Sequence, residues 1–107
     1  MIVTECGYSS DVNIVEYIDD NFLNTFTFSA SWDACGSRIV DIDNDGDNEL
    51  IINVGANSHI GADIFEYTGS GYVRVDSLSV TYYSACSTVG DLNNNSVPEI
   101  ILTSYSW

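Results

Sequence analysis

The chain contains no lysine, and its only fixed cations are Arg38 and Arg74. Sixteen carboxylates stand against them, for a net charge of -14. A surface of that sign repels phosphate backbones and anionic headgroups, which excludes nucleic acid as a partner and argues against insertion into a membrane. No apolar run approaches the length that crosses a bilayer. Met1 leads straight into a strand-like segment with no signal-peptide pattern, so the chain reads as a mature or excised fragment, or as a protein exported by another route. Zinc spacings and Cys-x-x-Cys pairs are missing too: Cys6, Cys35 and Cys86 permit one disulfide and one leftover thiol, or a bond between chains. The single histidine, His59, lies in a polar stretch around which no catalytic set assembles, so no enzymatic activity is expected. No segment carries a 3.6-residue apolar stripe over three turns, which leaves almost no room for helix.

What is present points to a packed β-protein. Apolar residues make up 45% of the 107, with seven Tyr, four Phe and two Trp, enough for a core where high charge alone would suggest disorder. The chain also repeats itself. A shift of 50 places Asp41 on Asp91, Asp43 on Asn93, Asp45 on Asn95 and Glu49 on Glu99. The same shift carries Ile14-Val15-Glu16-Tyr17 onto Ile64-Phe65-Glu66-Tyr67, Met1-Ile2 onto Ile51-Ile52, and those onto Ile101-Leu102. Trp32 falls on Tyr82, and Ala34-Cys35 on Ala85-Cys86 with a slip of one. The repeat units run approximately over 1–50 and 51–100, and 101–107 begins a further one.

Within a unit the pattern is β. Arg38 to Asp41 enters an acidic loop, and Leu50-Ile51-Ile52-Asn53-Val54 leaves it as a continuous apolar run, expected of a strand buried on both faces. Ala62 to Tyr67 and Tyr72 to Asp76 read as two more strands around a Thr68-Gly69-Ser70-Gly71 hairpin, and 55–61 reads as a loop. Four strands per unit of this length is the pattern of a propeller blade. The expected fold is all-β: two roughly 50-residue four-stranded blades in one segment, 1–107, beginning and ending in the second strand of a unit. Because closed propellers need about four to eight blades, other copies or further parent sequence would complete the ring.

The loop from Asp41 to Glu49 sets carboxylates at positions 1, 3, 5 and 9, with Gly46 at the turn. Calcium takes six to eight oxygens in flexible geometry, and alternate inward side chains supply them; Asp47 would add its backbone carbonyl. Four carboxylates that close repel one another without a cation. The start resembles an EF-hand loop, but Ile52 stands where the bidentate Glu belongs and the flanks are strands. The second copy, with Asp91, Asn93, Asn95 and Glu99, and Val97 at the carbonyl position, keeps the oxygens with less charge, and weaker calcium binding is expected there.

The stretch Cys35 to Tyr67 resembles an FG-GAP repeat, the blade of integrin α-type and VCBS-type propellers. The Asp-x-Asp-x-Asp-Gly-x-x-Glu loop carries the resemblance, with Cys35-Gly36 in place of Phe-Gly, Val54-Gly55-Ala56 near the family's Gly-Ala-Pro, and Gly61 before the third strand. Asp91 to Leu102 resembles the same repeat with a degraded loop. The resemblance implies a propeller with calcium in its blade loops, usually outside the cell or on its surface. Trp32, Tyr82 and Tyr83 would then sit on one rim, as core between blades or as a platform for a glycan or protein ligand. Cys6 and Cys35 would meet at the same rim as a disulfide, leaving Cys86 unpartnered within the chain. The function expected is adhesion or ligand recognition. The alternative is a structural protein forming a ring or fibre by head-to-tail blade complementation, and a third reading is the non-catalytic part of a polysaccharide-degrading enzyme.

Overall fold

The computed structural model describes residues 2–4, 11–31, 33–56, 59–80 and 85–104. Among them there are nine strands and no helix: β1 (Ile2–Thr4), β2 (Asp11–Ile18), β3 (Asn21–Ser29), β4 (Ala34–Val40), β5 (Glu49–Ala56), β6 (His59–Tyr67), β7 (Tyr72–Val80), β8 (Ala85–Gly90) and β9 (Glu99–Ser104). They pair in chain order into three antiparallel sheets, β1-β2-β3, β4-β5-β6-β7 and β8-β9.

The central sheet is covered on both faces. Leu50, Ile52, Val54 and Phe65 pack with Val12, Ile14 and Ala30 of the first sheet and its following link, backed by Phe26 and Phe28. Ile51, Ala62 and Ile64 point the other way, against Val89, Ile100 and Leu102 of the third sheet. Alternation along β5 divides one apolar run between two interfaces, which is why the run has no polar face. Ile51 and Ile52 are both fully buried, and each contributes roughly 2 kcal/mol of burial.

The 50-residue period is present in the hydrogen-bonded registers. Strand β2 pairs β3 with a bulge between Ile14 and Val15, and β6 pairs β7 with a bulge between Ile64 and Phe65. The β4–β5 pairing Val40↔Glu49 recurs in β8–β9 as Gly90↔Glu99. The one-residue slip between the two Ala-Cys pairs also has a physical cause. Ala34 faces Val54 and Ala85 faces Ser104, equivalent positions, and the extra residue is absorbed in β4 by a register shift between Ala34 and Ser37. Gly36 lies inside that shift at φ 95°, a left-handed geometry that glycine adopts without strain. Short β1 departs from the period, since Ile2 faces Ile14 whereas Ile52 faces Asp63.

Three expectations need correction. Residues 55–56 and 59–61 are strand rather than loop: β5 continues to Ala56 and β6 starts at His59, with Gly55↔Ile60 and Ala56↔His59 paired. The expected polar loop at His59 is therefore a strand start. Gly61 is inside β6 rather than before it, and its reason is close approach. A Cβ there would collide with the main-chain carbonyl of Leu78 on β7. The fourth strand likewise runs on from Asp76 to Val80 because its partner does. The hairpin 68–71 forms as expected, with Thr68 N donating to Gly71 O at 2.9 Å.

Candidate metal centre

Both acidic loops connect the first and second strands of a sheet, β4 to β5 and β8 to β9. They close by the same hydrogen bonds. In the first, Asp45 N donates to Asp41 Oδ1 and Asp43 Oδ1, both at 3.1 Å, and Gly46 N donates to Asp41 Oδ2 at 3.1 Å. Asp47 N donates to Asp45 Oδ1 at 2.9 Å, and Ile42 N to Glu49 Oε2 at 2.7 Å. In the second, Asn95 N donates to Asp91 Oδ1 and Asn93 Oδ1 at 3.0 Å, and Ser96 N to Asp91 Oδ2 at 2.9 Å. Val97 N then donates to Asn95 Oδ1, and Leu92 N to Glu99 Oε2, both at 2.7 Å. The turn residues share their handedness: Asn44 and Gly46 at φ 61° and 98°, Asn94 and Ser96 at 58° and 68°. Side-chain oxygens at every second position capture the N–H two to five residues on, so the spacing itself folds the loop.

The first loop brings oxygens of Asp41, Asp43 and Glu49 within 4.8 Å of one another. Glu49 is buried at the start of β5, while Asp43 is exposed. Burial pushes the Glu49 carboxyl up from its ordinary value, the Ile42 N–H pulls it down, and Asp43, Asp45 and Asp41 push it up further. Asp45 lies in the same loop with Oδ1 held by Asp47 N. Asp47 itself contributes an exposed side chain outside the three-residue cluster. Three carboxylates at that separation match the hard-oxygen donors a divalent cation takes.

The second loop is closed differently at one point. Asn93 Nδ2 donates to Glu99 Oε1 at 2.7 Å, so an amide hydrogen lies where the first loop has carboxylate against carboxylate. The two loops also touch: Asn44 Nδ2 donates to the Ser96 carbonyl at 2.9 Å.

Trp32, Tyr82, Tyr83 and Cys6 lie outside the described residues, and so does the Cys6–Cys35 pairing. Cys35 is in β4, and Cys86 is an exposed free thiol in β8. Two features escaped the sequence reading. Asp63 is a fully buried carboxylate, with Oδ2 taking Ser31 N and Oδ1 taking the Ser77 hydroxyl, both at 2.7 Å, and Arg74 Nη1 standing 3.7 Å from Oδ2. A lone acid inside the apolar run Ile60 to Phe65 was its signal. The second feature is an aromatic pair at each hairpin base. Tyr17 and Phe22 lie 5.0 Å apart at 49°, and fifty residues on Tyr67 and Tyr72 lie 5.3 Å apart at 47°. Burial, then Tyr67 and Glu16, push the Tyr72 hydroxyl above its ordinary value. No protein-family model, curated protein or solved structure matches the chain.

Proposed function

We propose that this chain is a calcium-binding run of FG-GAP-like β-propeller blades that serves outside the cell or on its surface in adhesion or ligand recognition. The observation that carries the reading is the first acidic loop, where Asp41, Asp43 and Glu49 converge on one point. Asp45 and the backbone carbonyl of Asp47 complete the donor set there, and the second loop offers Asp91, Asn93, Asn95, Val97 and Glu99 with less charge. The stacked antiparallel sheets, each joined to the next in chain order and repeating every 50 residues, are the arrangement successive blades require. Net charge disfavours a nucleic-acid or anionic-membrane partner. Calorimetric titration with calcium tests this: one site is expected to fill first, and loss of that site in Asp43→Ala ties it to the first loop. No heat and an unchanged melting curve in calcium would refute the reading.

A second reading has its own support. Strand β9 is paired only with β8 among the described residues, which leaves an edge of the pattern that β6 covers on β5. Strand β2 of another copy, whose edge β1 covers from Val12 to Ile14, would offer Val15 to Ile18 to that edge by the repeat, building a head-to-tail ring or fibre. Light scattering in calcium separates the readings, since large, concentration-dependent species are expected only from the second.

A further inference from the structure

Beside the first acidic loop a cavity of about 520 Å³ opens to solvent, lined by Asp47, Asn48, Tyr67, Thr68, Gly69 and Tyr72. Its wall is aromatic. Tyr67 is half exposed, and behind it Phe26 packs edge-on against both Tyr67 and Tyr72, at 5.9 and 5.7 Å. Its rim is acidic. The Asp47 carboxylate is exposed and accepts no hydrogen bond among the described residues. Neither cation of the chain serves this place: Arg38 Nη1 donates to Ser37 O, and Arg74 faces Asp63.

We propose that this cavity binds a cationic side chain, an arginine or lysine of a basic partner protein. The proposal rests on the recognition reading above and names the ligand class. An aromatic face attracts a cation through its quadrupole, and a neighbouring carboxylate adds a charge-assisted hydrogen bond. The field of a chain at -14 steers such a partner toward it and repels an acidic one. Calcium does not cancel this. The five carboxylates of the loop, less two charges for one calcium ion, still leave three negative charges beside the cavity.

The repeat provides its own control. Tyr17 and Phe22 form the equivalent aromatic pair, but the acidic turn beside it is already engaged, since the Tyr17 hydroxyl donates to Asp20 Oδ1 at 3.3 Å. The test is calorimetric titration of the calcium-loaded chain with three probes: a short peptide of alternating arginine and glycine, its glutamate counterpart, and a neutral oligosaccharide. The arginine peptide is expected to bind saturably, about tenfold more weakly to Tyr67→Ala and to Asp47→Asn. Phe22→Ala and Asp11→Asn are expected to bind as the unaltered chain does. Calcium-dependent melting of each variant establishes that it folds, and Asp47→Asn, an exposed change, carries the test if Tyr67→Ala does not. An equal loss in Asp11→Asn would mean diffuse charge attraction and overturn the proposal. Binding of the oligosaccharide alone, or of no probe while calcium still binds, would overturn it and leave the recognition reading standing; a chain that takes up no calcium either would remove both.

Discussion

Asn93 gives its amide hydrogen to Glu99 at 2.7 Å, and the residues fifty places earlier, Asp43 and Glu49, have no hydrogen to share. One loop thus closes on itself, and the other is left with carboxylates facing each other. The backbone paths are otherwise the same, so the amide at this position is one of the exchanges, with Asn95 for Asp45, that set how far each loop depends on a cation. A lone internal bond of this kind contributes about 1 kcal/mol, while an uncompensated carboxylate pair costs stability.

The exchange Asp43→Asn should therefore make the first loop behave like the second. In excess chelator the variant is expected to melt about 5 °C higher than the unaltered chain, and to gain little on adding calcium. Asn93→Asp should do the reverse, lowering the melting temperature in chelator and widening the gap that calcium closes. Paired melting curves decide it; identical calcium responses for Asp43→Asn and the unaltered chain would refute the account.

Glu49 makes a prediction about pH. Its folded carboxyl is raised above its ordinary value of 4.5, chiefly by burial, so the fold holds that proton more tightly than the unfolded chain does. Without calcium this group favours the fold below the unfolded value, and the contribution is lost as pH rises through the raised folded value. The calcium proposed for this loop would need the carboxylate, so its stabilisation should grow over the same window, with proton release on binding at the acidic end. Melting in chelator from about pH 4 to about pH 7 should show a decline that is shallower in Glu49→Gln. Equal slopes would show that Glu49 is not its source.

Asp63 fastens the link between the first two sheets, because its carboxylate takes the Ser31 N–H from that link and the Ser77 hydroxyl from β7. Asp63→Ala strands both donors and should cost about 3 kcal/mol, read by denaturant unfolding. Asp63→Asn keeps an acceptor and should cost less. The half-exposed Arg74 contributes little of this, so Arg74→Ala should be mild.

Gly61→Ala should be among the most damaging single changes, since the added methyl meets the Leu78 backbone, which can yield only by parting β6 from β7. Gly71→Ala, with nothing within 4 Å of the added carbon, is the matched control and should leave the melting temperature nearly unchanged. Similar melting for the two variants would mean that the strands separate more easily than the packing implies.

Much of this protein is determined locally. The alternation of β2, the doubly buried run Leu50 to Val54, the turn at Gly46 and the oxygen spacing of both loops are short-range patterns, because side-chain direction and turn geometry depend on neighbours within a few residues. The 50-residue period was legible for the same reason, down to a slip between the Ala-Cys pairs whose cause, the shift around Gly36, only the register shows. Other relationships were decided by the stacking of the sheets. The bond from Asn44 to Ser96, the burial of Asp63 beneath Ser31, and the cavity between Asp47 and Tyr67 each join segments that no periodicity relates. The close approach of β7 made Gly61 a contact point inside a strand, where sequence suggested a loop. Side chains choose a face from their own strand, but which partner waits on that face depends on how one sheet lies across the next.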